Sequence, residues 1–331
     1  MMKKMLFSAV AVIGFTSVAS AQDQVRLGTN WLAQGGHAGF YQAVADGTYA
    51  EYGLDVEIVM GGPQVNNRPM LAAGRLDFLM AGNLLLSFDN VRNDIPTTVV
   101  AAFFQRDPQA LMAHAGSYED FADLANAPTI LISRDGQFSF WQWLVDEHGF
   151  RDESLRPYGF NIAQFLGDSA IVQQAYATAE PLYAADEGAT VDTYVLADHG
   201  WSTYSSTIET RRDLVENNPD LVQRFIDASI IGWYNFLYGD RTAAYEMIMR
   251  DNPDQSIEKL DREIEQLMAL DIIDSGNALE HGIGAMSLER VAAFHELAVN
   301  AGIIDEGAVD LDLVATDAFV NNGVGMDLYQ R

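Results

Sequence analysis

Several side chains suited to binding a small molecule come directly after apolar segments of this chain. Those positions are Asn30, Trp31, Gly82, Asn83, Phe104, Gln105 and the segment from Ser133 to Ser139, which includes Phe138. Amide groups donate and accept in the plane of a ring, and aromatic rings stack on its faces. In open α/β sheets, ligands bind outside the carboxyl ends of the strands. The pattern therefore predicts a binding site for a small, flat solute at these strand ends.

Trp31 is the strongest single candidate for a ligand contact. An indole at the mouth of a cleft offers a planar platform, and ring stacking contributes about 0.5–1.5 kcal/mol beyond area burial. The alternative is a core tryptophan beneath the first helix. The neighbouring Asn30 adds an in-plane hydrogen-bonding group, which favours the binding site.

The composition argues against most catalytic and metal chemistry. The chain contains no cysteine, which excludes thiolate nucleophiles and cysteine-ligated metals. Its six histidines show no paired spacing, and no serine, histidine and acid spacing suggests hydrolysis. Lys259 lies in a charged helical run and is expected on the solvated surface. We expect no metal and no cofactor.

The order of apolar and helical segments predicts an α/β fold. Short apolar runs separated by helical stretches indicate βαβ units and mostly parallel sheets. The first series covers residues 25–113, and a second, shorter series begins at Thr129. From Asn218 the pattern becomes helical, with Pro219 as the first helical residue, and Asp251 to Asp254 resembles a second helix start.

The N-terminal segment indicates where the protein is located, and the net charge argues against nucleic acid as a partner. Residues 1–21 have a basic start, an apolar run and small residues at the end, which is typical of a cleaved secretory signal. The formal charge is −28, and such an acidic chain repels nucleic acid. We expect a periplasmic protein without a lipid anchor, because no cysteine follows the cleavage point.

The chain resembles a known family in several motifs. These are Asn30-Trp31, His37-Ala38-Gly39-Phe40-Tyr41, Leu71 to Asp77, Glu180-Pro181, Tyr204 to Thr207 and Asn218 to Val222. They resemble the periplasmic solute-binding proteins of ABC importers for nitrate, alkanesulfonates and thiamine pyrimidine precursors. That family in turn resembles an enzyme, hydroxymethylpyrimidine phosphate synthase of thiamine biosynthesis. The resemblance covers nearly all of the chain after residue 21.

The resemblance implies a two-lobed periplasmic binding protein fold, type II-like, with a helical C-terminal tail that returns to the first lobe. The expected boundaries are 22–113 for the first part of lobe 1, 114–200 for lobe 2 and 201–331 for the return to lobe 1. Two crossings, near His114 and near Gly200, would form the hinge. We expect a monomer that delivers its solute to a membrane permease.

The resemblance also adds His37, Tyr41, Glu180 and Tyr183 to the candidate site. His37 could donate to a ligand or cap the helix that begins near Gly39. Glu180 lies among apolar and aromatic residues, so a buried carboxylate there needs a donor. An aminopyrimidine would supply one. The alternative is a glutamate on a helix surface.

The residues and the resemblance together suggest one leading function and two alternatives. The first is capture of a small planar N-heteroaromatic solute, such as a thiamine pyrimidine precursor, by lobe closure. The second is binding of nitrate or an alkanesulfonate, which an acidic Glu180 in the cleft would oppose. The third is an enzyme similar to hydroxymethylpyrimidine phosphate synthase, which the missing cysteines and the single lysine after residue 21 oppose.

Overall fold

The computed structural model describes residues 22–62 and 65–328 of the 331-residue chain. The predicted signal segment, residues 1–21, lies outside the described residues. No helix within the described ranges is long and apolar enough to cross a membrane.

The described residues form ten strands in two five-stranded sheets. The strands are β1 (Asp23–Gly28), β2 (Leu54–Val59), β3 (Phe78–Met80), β4 (Thr97–Phe104), β5 (Gln109–His114), β6 (Thr129–Ile132), β7 (Leu155–Pro157), β8 (Ile171–Tyr176), β9 (Val191–Val195) and β10 (Ser205–Arg211). The first sheet has the order β2-β1-β3-β10-β4 and the second has the order β7-β6-β8-β5-β9. We call each sheet, with the helices packed on it, a lobe.

Both sheets are mixed, but in each sheet four of the five strands point the same way, so the prediction of mostly parallel sheets is confirmed. In the first lobe β1 runs parallel to β2 and β3, whereas β10 is antiparallel to β3 and β4. In the second lobe β6 runs parallel to β7 and β8, whereas β5 is antiparallel to β8 and β9. The antiparallel strands β5 and β10 each follow a crossing between the lobes, so no βαβ crossover fixes their direction.

The pairing of β5 places the first crossing between the lobes earlier in the chain than expected. Residues 111–113 were expected in the first lobe, but β5 pairs only with second-lobe strands. The chain therefore crosses between Phe104 and Gln109 rather than near His114. The second crossing lies between the short 3-10 helix Leu196–His199 and β10, in a segment that contains Gly200.

The described residues also form helices of very different lengths. They are α1 (Ala38–Ala45), α2 (Thr48–Glu51), α3 (Arg68–Ala72), α4 (Leu84–Arg92), α5 (Arg134–Gln137), α6 (Phe140–His148), α7 (Ala163–Gly167), α8 (Glu180–Asp186), α9 (Arg212–Asn217), α10 (Pro219–Tyr238), α11 (Thr242–Asp251), α12 (Ile257–Ala269), α13 (Ala278–His281) and α14 (Leu288–Asn300).

The C-terminal helices return to the first lobe. The Asn218 side chain accepts from the backbone N–H of Leu221 and caps α10, whose first residue is Pro219 as predicted. Phe225 of α10 stacks on Phe78 of β3 with ring centroids 3.9 Å apart. Burial of such aromatic surface is the main stabilising term of a packed lobe. From residue 301 to residue 328 the chain has irregular structure with one short 3-10 turn at Leu311–Leu313.

The predicted helix start at Asp251 to Asp254 is wrong. Asp251 is the last residue of α11, and α12 begins at Ile257 with Ser256 as its cap. The Asn252 side chain instead donates to the carbonyl oxygen of Ala33 at 2.8 Å. A tertiary hydrogen bond has replaced the local capping role that the sequence suggested.

Candidate functional site

A cavity of about 1040 Å³ lies between the two lobes. On one side it is lined by the segments that follow β1 and β3 and by the end of β4. On the other side it is lined by the β7–α7 connection, the end of β8 and the start of α8. Ligand pockets commonly measure about 300–1,000 Å³. The cavity is therefore large enough for a drug-sized solute.

Many of the predicted site residues line this cavity. They are Asn30, Trp31, His37, Asn83, Phe104, Glu180 and Tyr183. The first five come from the first lobe and the last two from α8 of the second lobe. The structure thus brings together residues that are up to about half the chain length apart in sequence.

Four predicted residues lie elsewhere. Tyr41 is buried in α1 and its hydroxyl donates to Asp251 of α11 at 3.2 Å. Gln105 is buried and donates to the carbonyl oxygens of Ala102 and Ala285. Both side chains serve packing of the first lobe rather than the cavity, which corrects their assignment.

Phe138 and Ser139 line a separate, smaller cavity of about 230 Å³ between α4, the α5–α6 turn and the C-terminal segment. Phe138 is 71% exposed. The Gln174 side chain accepts from the backbone N–H of Ser133 at 2.8 Å, and Gln174 itself lines the large cavity. The turn that was predicted to cradle a ligand is therefore separated from the cavity by Gln174.

The backbone that carries Trp31 is held by close packing against Gly61. A β-carbon at Gly61 would lie 2.4 Å from the carbonyl oxygen of Thr29, and within 3 Å of the next peptide. Only glycine allows this approach. The Gly61 N–H donates to the Thr29 hydroxyl, which donates in turn to the carbonyl oxygen of Trp31. These bonds fix the peptide that presents the indole to the cavity.

Asn30 and His37 form a pair on the same wall. The Nε2 atom of His37 lies 3.2 Å from the Oδ1 atom of Asn30. Burial lowers the pKa of His37 to about 4, so the imidazole is neutral at ordinary pH. Although His37 stands at the cap position of α1, its side chain makes no capping bond. The predicted capping role is therefore not observed, and donation from His37 to a solute in the cavity stays a prediction.

Glu180 lines the cavity and already has protein donors. Its Oε1 atom accepts from the Tyr158 hydroxyl at 3.2 Å, and its Oε2 atom accepts from the Tyr176 N–H at 2.7 Å. Burial raises the pKa of Glu180, and these donors oppose the shift. Each carboxylate oxygen has a second acceptor position, so the group can still accept from a solute.

Aromatic rings meet across the gap between the lobes. The ring of Phe160, in the β7–α7 connection, lies 6.0 Å from Trp31 and 5.2 Å from Tyr158 between centroids. Phe160 is 63% exposed. Trp31 and Phe160 are therefore aromatic surfaces from opposite lobes at one side of the cavity.

The sequence prediction missed a further group of lining residues. These include Asp107, Gln109, Tyr158, Phe160, Gln174, Tyr176, Ser205 and Ser206. Tyr176 ends β8 and Ser205 begins β10, and neither strand was predicted. Ser205 and Ser206 do belong to the Tyr204 to Thr207 motif, which was the available signal.

The charge of the cavity is strongly acidic. Its described lining includes the carboxylic acids Asp107, Glu180, Asp186, Glu187 and Asp254. Its one ammonium group belongs to Lys259, whose Nζ donates to the Asp254 carbonyl at 2.8 Å. Lys259 was expected on the solvated surface. It lines the cavity because α12 lies at the mouth of the cavity. No arginine occurs in the described lining.

No group of three or more His, Asp or Glu side chains in residues 22–62 and 65–328 is arranged to hold a metal ion. The arrangement can stack on a planar solute and accept hydrogen bonds from it. The acceptors are Glu180 and Asp107, and amide groups at Asn30 and Asn83 can donate or accept.

Comparison with known proteins identifies relatives of this fold. Riboflavin-binding protein RibY of Chloroflexus aurantiacus is 24% identical over 312 residues, which cover 91% of this chain and 87% of the relative. The periplasmic aliphatic sulphonate binding protein SsuA from Escherichia coli matches with a TM-score of 0.65 and 13% identity, covering 88% of this chain and 91% of that chain.

The desulfurization enzyme DszB also matches, with a TM-score of 0.56 and 14% identity over 90% of this chain and 97% of that chain. At such identities the two solved structures establish the fold alone. They confirm the predicted two-lobed periplasmic binding protein architecture, which occurs in a binding protein and in an enzyme. A family model described as NMT1/THI5 like matches residues 34–239. This span is more than half of the chain, and the chain therefore belongs to the NMT1/THI5-like family.

Proposed function

We propose that this protein is the extracytoplasmic solute-binding component of an ABC importer and captures a planar N-heteroaromatic solute between its two lobes. The observation that carries the proposal is a cavity with aromatic rings from both lobes and an acidic lining. Planar rings stack on such walls, and N–H groups donate to carboxylates. A membrane permease would receive the solute.

The volume of the cavity bears on the size of the solute. A thiamine pyrimidine precursor has one ring and would occupy a minor part of about 1040 Å³. A flavin has three fused rings and a polar chain, and the relative RibY is named for riboflavin binding. The cavity therefore supports a flavin-sized solute better than a single pyrimidine, and both belong to the proposed class.

The charge of the site opposes an oxyanion. Sites for nitrate or sulfonates favour neutral donors and arginine, whereas five carboxylic acids and one lysine line this cavity. An enzyme of the hydroxymethylpyrimidine phosphate synthase type is opposed by the chain's lack of cysteine. Lys259, the one lysine after residue 21, also donates to a backbone carbonyl at the mouth of the cavity.

Two variants test the proposed site. Trp31→Ala should weaken binding of riboflavin or of 4-amino-5-hydroxymethyl-2-methylpyrimidine about three- to tenfold, because a stacking surface is lost. Glu180→Gln should weaken it by about tenfold or more, because a charged acceptor is lost. Flavin fluorescence quenching and calorimetry measure these affinities.

Glu57→Gln is the matched control, because Glu57 is exposed on β2 and pairs with Arg26. It should bind both probes as the wild type does. Wild-type protein that binds taurine or nitrate and neither heteroaromatic probe would replace the proposal with the oxyanion alternative.

A further inference from the structure

Asp107 lies in the segment 105–108 that connects β4 of the first lobe to β5 of the second. Its side chain is 3% exposed, and it lines the cavity between the lobes. A carboxylic acid is thus buried at the hinge and faces the space where a solute would be enclosed. The sequence prediction did not include this residue.

The two oxygens of Asp107 differ in their partners. Oδ1 accepts from the backbone N–H of Gln109 at 3.3 Å. Oδ2 makes no hydrogen bond with any described residue. The side chains of Asn83, Trp201 and Ser205 lie close enough to lower the pKa of Asp107 through their polar hydrogens, but none of them makes a hydrogen bond of ordinary length and angle to Oδ2, and none carries a positive charge.

These neighbours come from both crossings. Trp201 lies in the second crossing, and Ser205 begins β10 directly after it. Asn83 caps α4 of the first lobe through its Oδ1 atom, which accepts from Leu85, so its amide nitrogen remains as the donor. Asp107 in the first crossing therefore has neighbours from the second crossing and from the first lobe.

A buried carboxylate without a cationic partner is costly, because the protein donors around it replace only part of the hydration that it loses. Burial accordingly raises the pKa of Asp107 to about 6. Among the described neighbours the titratable group that faces it is Tyr176 of β8, whose own pKa is raised by burial and by Asp107. Glu180 approaches Tyr176 from α8. Neither supplies a cation.

We propose that Asp107 is a recognition residue whose Oδ2 atom accepts an N–H or O–H donor of the enclosed solute, and so couples solute binding to the hinge. This inference rests on the proposed function and narrows it. The solute must be neutral or cationic and must present a donor to the hinge. Anionic solutes are rejected by the same group.

The experiment compares wild type, Asp107→Asn and the control Glu209→Gln. Glu209 is a second buried acid of the first lobe, but both of its oxygens have donors, Ser87 at 2.6 Å and Asn90 at 2.8 Å. Riboflavin affinity is measured by fluorescence quenching between pH 5 and pH 8, and melting temperatures are measured without solute.

Asp107→Asn should weaken riboflavin binding about tenfold or more at pH 7, because the amide nitrogen cannot accept the solute's donor. Wild-type affinity should fall about tenfold from pH 7 to pH 5, because a protonated Asp107 must first lose its proton. The variant should show a flatter profile. Glu209→Gln should keep the wild-type profile.

The melting temperatures give a readout that needs no solute. Removal of a buried charge that has no cationic partner should raise the melting temperature of Asp107→Asn at pH 7, and this gain should shrink below pH 6, where the wild-type acid is already mostly neutral. Glu209→Gln should lower the melting temperature, because it disturbs a satisfied network.

The outcomes separate the inference from the proposed function. If wild type binds riboflavin and Asp107→Asn binds it equally well, the inference is wrong and the proposed function stands. If neither riboflavin nor the aminopyrimidine binds, the proposed function fails and the melting comparison decides the role of Asp107. A variant that melts below wild type, as Glu209→Gln should, would make Asp107 a structural acid and overturn the inference.

Discussion

Phe160 combines an unfavourable backbone with an exposed ring. Its φ angle is +58°, in the left-handed region, where an L-residue other than glycine costs about 1–2 kcal/mol. The ring is nevertheless 63% exposed and stands near Trp31 of the opposite lobe. Strain of this kind clusters at binding sites. Because the ring is mostly exposed, its packing within the protein does little to offset the free energy of the strained backbone. We therefore expect the ring to contact a solute.

Two substitutions separate the ring of Phe160 from its backbone. Phe160→Gly and Phe160→Ala both remove the ring, so each should weaken riboflavin binding about three- to tenfold. Only glycine removes the left-handed strain. The free energy of unfolding of the glycine variant should therefore exceed that of the alanine variant by about 1 kcal/mol. Urea unfolding and fluorescence titration measure the two effects. Unchanged riboflavin binding in both variants would remove Phe160 from the site.

The residues of the site were predictable where the preceding strand was recognised. Asn30, Asn83 and Phe104 lie at the ends of apolar runs that read clearly as strands. Tyr176 and Ser205 were missed because β8 and β10 contain polar residues such as Gln173 and Thr207, and their burial depends on strands distant in sequence. Local patterns do not report such pairing.

At the scale of elements, α1 packs closely against α10 near the site. A β-carbon at Gly39 would lie 2.1 Å from the Trp233 ring, and one at Gly232 would lie 2.5 Å from the Gly39 carbonyl oxygen. Glycines on both helices permit this approach. Because α1 follows His37 directly, the packing also sets the position of one cavity wall.

Gly39→Ala should therefore destabilise the protein by about 1–3 kcal/mol, since an added methyl group overpacks this contact. Gly167→Ala is the control, because a β-carbon there meets nothing within 4 Å, and it should be neutral or slightly stabilising. Thermal melts of the two variants test the difference. Equal melting temperatures would show that the two helices can separate without cost.

The fold as a whole was more predictable than the path of the chain through it. Two α/β lobes and a returning helical tail were expected and are observed. The sheet that contains β5 was assigned wrongly, because a short apolar strand carries no local mark of its partners. Tertiary packing determines where the chain passes from one lobe to the other. Among the four residues from 105 to 108, Asp107-Pro108 is the one local turn signal.

At the scale of the whole molecule, one ion pair joins the lobes at the cavity mouth. Arg262 of α12 donates to both carboxylate oxygens of Asp186 at the end of α8, at 2.6 and 3.0 Å. The helix α12 is tied to the first lobe through Glu263, which accepts from the Gly35 N–H at 2.6 Å. The arginine lowers the pKa of Asp186, so the pair stays ionised until the pH falls below the ordinary range of aspartate.

We expect this pair to favour the closed arrangement of the lobes. Arg262→Gln should increase the radius of gyration measured by solution scattering and should release riboflavin faster in stopped-flow fluorescence. High salt should reproduce part of the effect in wild type, because both side chains are partly exposed and their attraction is screened.

Arg224→Gln is the matched control, because Arg224 pairs with Asp23 and Asp220 within the first lobe. It loses an arginine and its ion pairs but leaves the cavity mouth intact, so it should leave the radius of gyration and the release rate unchanged. If Arg262→Gln behaves as Arg224→Gln does, the Asp186–Arg262 pair has no part in closure. The hinge segments and the aromatic contacts across the cavity would then determine the closed state.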